Sequence, residues 1–298
     1  MLALVRRLSL LLVVAACTKP SPPPDPVWAE GVAKFRAGRE KSIGGPEGWI
    51  SLVGRFQLKN GANTIGADPK CLAVLPADRS PPLLGTINLE AGTLYFTTAS
   101  GADVRLAGQP VTTMTLADDS KGKPTVLEAG SLRLHVIRRG NAFMLRVKDR
   151  EHPARAAFKG LDWFPPDAAW RVRAKLEPSP PGATIPILNV LNQTEPQASP
   201  GHLVFTVDGR EHRLAALKED EPGFFVLFKD QTAGTSTYPS GRFINTPPPD
   251  ADGFVDLDFN RAYSPPCAFT KFATCPLPPK ENHLALEIPA GERYSTQH

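Results

Sequence analysis

Trp49-Ile50-Ser51-Leu52-Val53-Gly54-Arg55-Phe56-Gln57-Leu58-Lys59-Asn60-Gly61-Ala62-Asn63-Thr64-Ile65 is where the chain changes its periodicity. Upstream, Trp28, Val32 and Phe35 recur at helical spacing. From Trp49 onward the apolar runs shorten to four or five residues, and Asn60-Gly61 supplies a turn signal between two of them. The 32 prolines and 24 glycines are spread along the whole chain, which suits many turns between short strands. A 41% apolar and 21% charged composition over 298 residues is that of a globular body with one large or two ordinary domains. The formal charge is +4, and Arg6 and Arg7 lie in a segment expected to be removed; no concentrated basic face calls for nucleic acid.

The amino terminus sets the compartment. Arg6 and Arg7 precede the apolar run Leu8 to Ala16, too short to span a bilayer, and Cys17 follows two small residues. Val14-Ala15-Ala16-Cys17 resembles the lipobox of bacterial lipoproteins. That resemblance implies a signal peptide over residues 1–16, cleavage before Cys17, and acyl chains of the palmitate type on its sulfur and new amino terminus. Thr18 in place of an acidic residue implies sorting to the outer membrane, facing the periplasm. Residues 17–26 then form a lipidated, proline-rich tether. Asp25 suits a helix N-cap with Pro26 at the first helical position, and a short helix is expected from about Pro26 to Lys41.

Residues 27–150, the helix included, are expected to form a first domain. Its strands are predicted at Leu84 to Leu89, Thr93 to Thr98, Val104 to Leu106, Thr125 to Leu127, Leu132 to Ile137 and Phe143 to Val147. Leu132, Leu134 and Val136 face inward in this pattern, which turns His135 out as a solvated residue. Gly61 to Pro69, Leu72 to Pro76 and Gly108-Gln109-Pro110-Val111 together resemble a forkhead-associated domain, an antiparallel β-sandwich that binds phosphothreonine. Ala67 stands where that family has its arginine, Ser80 to Leu84 offers no histidine, and Ala107 replaces the asparagine. The resemblance therefore implies the scaffold without its phosphate site.

Residues 151–298 are expected to form a second β-rich domain. Glu151 to Pro166 carries too many large apolar side chains for a flexible linker and is expected to lie across the domain interface. Trp170 to Glu177 alternates with Trp170, Val172, Ala174 and Leu176 buried. Arg171, Arg173 and Lys175 share its other face, as a solvated edge or an anion-binding row. Asp208-Gly209 marks a hairpin between Leu203 to Val207 and Arg210 to Leu217. Phe224 to Phe228 reads as a central strand. In Phe254 to Phe259, Val255, Leu257 and Phe259 take the core, while Phe254, Asp256 and Asp258 point the other way.

Phe158 to Pro165, Gly241-Arg242-Phe243 and Leu257 to Pro279 resemble the bacterial and archaeal domain of unknown function family 1684, with similarity running from about Trp49 to Tyr294. The resemblance implies no activity. The architecture expected overall is thus all-β: a forkhead-associated-like sandwich, a second β-rich domain and one N-terminal helix.

After lipidation of Cys17, Cys71, Cys267 and Cys275 remain. Cys267 and Cys275 are candidates for a disulfide closing a small loop, for two ligands of a metal site completed by His283 or Asp258, or for a reactive thiol. Arg242, Asp258, Asn260 and Tyr263 are candidates to line one pocket beside this loop, or else to form a hydrogen-bonded corner. The sequence has no nucleophile elbow, metalloprotease helix, P-loop or dinucleotide fingerprint, and no cofactor is expected. Two functions compete. One is an envelope lipoprotein that binds a small ligand or another envelope protein; the other is a hydrolase-type enzyme using Asp258, with Arg242 fixing an anionic substrate.

Overall fold

A computed structural model describes residues 25–219 and 222–294. The expected signal peptide, Cys17 and nearly all of the tether lie outside the described residues. Helix α1 runs from Pro26 to Gly44 and is capped by the Asp25 side chain, which accepts the Val27 amide at 2.9 Å. It therefore starts where the sequence places it and continues three residues further, to the Gly44-Gly45 pair. Among the described residues no helix is long and apolar enough to cross a membrane.

The first half is a two-layer sandwich. Its strands are β1 (Leu52–Gln57), β2 (Gly61–Gly66), β3 (Ala73–Val74), β4 (Gly85–Glu90), β5 (Thr93–Thr98) and β6 (Arg105–Leu106). They continue with β7 (Gln109–Pro110), β8 (Thr113–Leu116), β9 (Leu127–Ala129), β10 (Leu132–Arg139) and β11 (Ala142–Asp149). One sheet has the order β1-β11-β10-β9-β6-β7, the other β3-β2-β4-β5-β8. Ile65, Ile87, Leu94 and Phe96 from one layer meet Leu127, Leu132, Leu134 and Val147 from the other in a single core. The Asn60-Gly61 turn is present, with Gly61 at φ 84°, but it is not a hairpin. Its flanking strands go to opposite sheets, β1 to β11 and β2 to β4. The buried Asn63 side chain fixes the crossing through bonds to Lys59, Gly61 and Ile87.

The connection to the second half is ordered, as its apolar content requires. A short helix α2 (Pro153–Ala157) ends against α1, where Arg155 donates to the Gly44 and Gly45 carbonyls. Leu161 and Trp163 then donate to Glu40 of α1. The strands that follow are β12 (Arg171–Pro178), β13 (Thr184–Leu188), β14 (Thr194–Ala198) and β15 (Gly201–Val207). After them come β16 (Arg210–Lys218), β17 (Phe224–Phe228), β18 (Arg242–Thr246) and β19 (Phe254–Asp258). The six-stranded order is β18-β17-β16-β15-β12-β19, with β13 and β14 as a separate hairpin. The β13–β14 hairpin is absent from the sequence reading because Pro186 and Pro196, which pair directly, mask its alternation.

The predicted Asp208-Gly209 hairpin is formed, both residues having positive φ. Val255, Leu257 and Phe259 enter the core as expected. That core also takes Phe224, Val226 and Phe228, while Leu227 packs on the opposite side of β17 with Phe243 and Cys275, so β17 is covered on both faces. Strand β12 is no edge: it lies between β15 and β19. The sheet curls until its two edge strands are bridged by the stretch after β19, where Phe243 and Tyr263 exchange both backbone hydrogen bonds at 2.9 Å. Residues 259–264 therefore act as a closing seam, and α1 lies along it.

Candidate functional site

Asp258 ends β19 with both oxygens engaged. Oδ2 accepts Trp28 Nε1 at 2.8 Å, from across the chain, and lies 3.5 Å from Arg261 Nε. Oδ1 accepts the Asn260 amide at 3.0 Å and its Nδ2 at 2.9 Å. Asn260, fully buried, also clamps both backbone groups of Asp167. These two candidates thus meet, as a hydrogen-bonded corner.

Arg242 does not join them. It is 0% exposed, and its guanidinium runs to Asp230 Oδ1 at 3.1 Å and to the Ile288 and Ala290 carbonyls. Burial lowers its pKa, and Asp230 opposes the shift. Asp230 is itself held by Thr232 and the Ile288 amide. This network staples the loop after β17 and the strand β18 to the segment around Ile288 and Ala290. No anionic substrate reaches it.

Tyr263 stands on the other side of the seam. Its hydroxyl donates to Asn245, its ring lies under the Arg39 guanidinium at 4.4 Å, and burial pushes its pKa up to about 12. Arg39 also donates to Glu292 and the Ser264 carbonyl. Glu292 is 1% exposed, and burial raises its pKa. The apolar stripe of α1 is packing, as its spacing suggests: Phe35 lies 6.2 Å from Trp163 and 6.4 Å from Tyr263. Trp28, Arg39 and Glu40 are the polar contributors that sequence reasoning left out. No motif marks them, because their partners lie in the second half.

Of the four candidates, Asp258 borders an open cleft. A cleft of about 500 Å³ lies between the start of α1 and the ends of β12, β18 and β19, walled by Trp28, Arg171, Asn245, Asp256, Asp258 and Arg261. It meets a second cleft of about 460 Å³ at Arg171, Pro247 and Asp256, giving one groove that continues past Arg173, Asp250 and Phe254. The Arg171, Arg173 and Lys175 face is therefore neither a bare solvated edge nor a free anion row. Arg171 forks onto Asp256, whose hydrogen bond raises the arginine's pKa. Arg173 pairs with Asp250, and Arg173 and Lys175 lie over the Phe254 ring.

The cysteines occupy a different surface, between the halves. The Cys267 amide donates to Cys275 Sγ at 3.0 Å, and both residues are thiols in this structure. Among the described residues no group of three His, Cys, Asp or Glu side chains is placed to hold a metal ion, so neither His283 nor Asp258 completes a site with the cysteines. The loop carrying Cys275 covers the outer face of β1, β11 and β10: Arg55 donates to the Ala273 carbonyl at 2.7 Å and Arg146 to Thr274 Oγ1 at 3.0 Å. His135 pairs in register with Arg146 and is consequently half-buried, not solvated. Its alternation points it outward as predicted, but another domain lies there. Burial, with Arg146 and Lys148 nearby, lowers its pKa to about 4.

Residues 156–293 match the model of a family described as "Protein of unknown function (DUF1684)". The first half lies outside this stretch, so the family match is shorter than the span from Trp49 expected from sequence. The chain is similar to an uncharacterized protein of Haloarcula marismortui solved by NMR, with 33% identity over 49% of this chain and 83% of that one, at a TM-score of 0.41. It is also similar to the FHA domain of FhaA, solved in complex with the intracellular domain of another protein, at 20% identity, 30% and 85% coverage and a TM-score of 0.21. A third similar structure comes from work on phosphothreonine-dependent FHA domain interactions, at 20% identity, 30% and 80% coverage and a TM-score of 0.22. No curated protein matches the chain.

Proposed function

We propose that this chain, which belongs through residues 156–293 to the DUF1684 family, is a lipid-anchored binding protein of the bacterial envelope. On this reading Cys17 holds it at the outer membrane facing the periplasm, and its second domain takes a small ligand bearing charges of both signs, such as a short peptide. The observation that carries the binding role is the groove along β12 and β19, in which Arg171, Arg173 and Arg261 alternate with Asp250 and Asp256 around an apolar floor of Val172, Phe254 and Val255. Such a wall suits a zwitterion better than a simple anion, since each exposed cation has a carboxylate beside it. The hydrolase alternative loses its second residue, because Arg242 is spent on Asp230 and two carbonyls. Asp258 is buried beside the groove, with Oδ1 accepting two hydrogen bonds from Asn260 and Oδ2 one from Trp28 Nε1, an arrangement in which both oxygens serve to order the seam.

The test has two arms. Calorimetric titration of short-peptide pools into the purified protein is expected to find binding that weakens about tenfold in Arg261→Ala, as loss of one charge-assisted hydrogen bond requires. Pools that release no heat, or an Arg261→Ala protein that binds unchanged, would overturn the groove assignment. Labelled palmitate is expected to enter the wild-type protein and not Cys17→Ser; a Cys17→Ser protein that stays labelled and membrane-bound would remove the anchor.

A further inference from the structure

Cys267 and Cys275 face one another at unequal depth. Cys275 is 4% exposed, inside an apolar cluster with Ile187, Leu217, Leu227 and Phe243, whereas Cys267 is half-buried at its rim. The single turn Pro266–Ala268 and the returning chain bring the Cys267 amide to 3.0 Å from Cys275 Sγ. In return, the thiol and amide of Cys275 face Cys267 Sγ. Two guanidiniums approach the same loop from the sandwich. Arg55 is fixed on the Ala273 carbonyl, and Arg146 on Thr274, the residue beside Cys275. Arg146 is only 8% exposed, and its Nε has no hydrogen-bond partner in the structure. A buried cation with a spare donor next to two thiols is a setting that favours an anion on sulfur.

We propose that Cys267 and Cys275 form a thiol–disulfide exchange couple, with Cys267 as the attacking thiolate and Cys275 as the resolving thiol. The electrostatics divide the roles. The hydrogen bond from Cys275, helped by Arg55 and Arg146, pulls the Cys267 thiol below its ordinary pKa against the effect of burial. Sharing that bond, together with burial, pushes Cys275 up and keeps its proton on. The Cys267 thiolate attacks one sulfur of a low-molecular-weight disulfide, forming a mixed disulfide and expelling one thiolate. Cys275 then gives its proton to a departing thiolate, its sulfur attacks Cys267 Sγ, and the second small thiolate leaves and takes up from solvent the proton that Cys267 released on ionising. Two protein thiols are oxidised and one small disulfide is reduced to two thiols. Neither cysteine borders the groove assigned above to ligand binding, so the two sites stand or fall separately.

The test is equilibration of the purified full-length protein in a series of reduced and oxidised glutathione mixtures, with acid quenching and peptide mass mapping. A Cys267–Cys275 link whose fraction changes across the series is expected, with a transient glutathione adduct on Cys267 at early times. Cys275→Ser is expected to accumulate that adduct on Cys267, and Cys267→Ser to show none on Cys275. In the reduced wild type, alkylation of Cys267 near neutral pH should be about tenfold faster than that of buried Cys71. A link that survives every mixture, a link that never forms, or adducts shared equally between the two cysteines would each overturn the proposal. The wild-type time course decides the matter even where a variant fails to fold.

Discussion

Arg242 shows how a buried charge is held inside the fold: Nη1 and Nη2 carry its hydrogen bonds, while Nε is buried without a partner among the described residues. Three of its bonds end on Asp230, Ile288 and Ala290, so one side chain joins β18, the loop after β17 and the last described segment. Removing its partner leaves an uncompensated guanidinium in the core. Asp230→Ala is expected to cost about 3–5 kcal/mol in urea unfolding, with much of the loss recovered in the Asp230→Ala, Arg242→Met double variant. A loss below about 1 kcal/mol in the single variant would mean that water reaches the guanidinium. The sequence marks Arg242 as a polar residue among apolar neighbours and goes no further. Asp230 sits twelve positions upstream in a polar loop that resembles any surface turn.

At the scale of elements, α1 carries a lesson about partners. Its start is legible because capping is local: Asp25 accepts an amide two residues away, and Pro26 needs no donor there. Its destination is not, because the amphipathic stripe says only that one face is covered. Chain order groups the helix with the sandwich, yet its side chains contact Trp163, Asp258, Tyr263 and Glu292 of the second half. The helix thus braces the seam that closes the second sheet. Phe35→Ala, which removes the ring between Trp163 and Tyr263, is expected to destabilise the protein by about 2 kcal/mol and to shift the tryptophan fluorescence of the folded state. Unchanged fluorescence and stability would place α1 outside the cooperative fold.

The whole molecule has a pH dependence built into the contact between its halves. His135 lies in a row with Arg146 and Arg55, near Lys148, Arg139 and the opposing Asp119, under the loop that carries Thr274. Its folded pKa of about 4 lies below the unfolded value of 6.5. Between those values the unfolded chain binds a proton that the folded one does not. Stability therefore falls as pH drops through this window and is unaffected by His135 above it. The loss is at most ~3.5 kcal/mol at ~1.4 kcal/mol per pH unit, less any screening by solvent. Glu292, raised by burial, works in the opposite direction and is present in both the wild type and the His135→Gln variant. His135→Gln is expected to flatten the acid side of the stability profile relative to wild type; parallel profiles from pH 7 to 4 would show that the imidazole protonates freely in the folded state.

What the amino-acid sequence determines here is whatever depends on neighbours a few residues apart. The period-two burial of β10, β12 and β19, the Asp208-Gly209 hairpin and the capped start of α1 all follow from local sterics and side-chain alternation. Tertiary structure alone decides where the polar groups go, because their partners are far away in sequence. Trp28 and Asp258 are 230 residues apart, and Arg55 and the Ala273 carbonyl are 218 apart. The same four candidate residues therefore separate into a core staple, a hydrogen-bonded corner beside the open groove and a seam residue, since each buried donor must find its acceptor wherever the fold brings one.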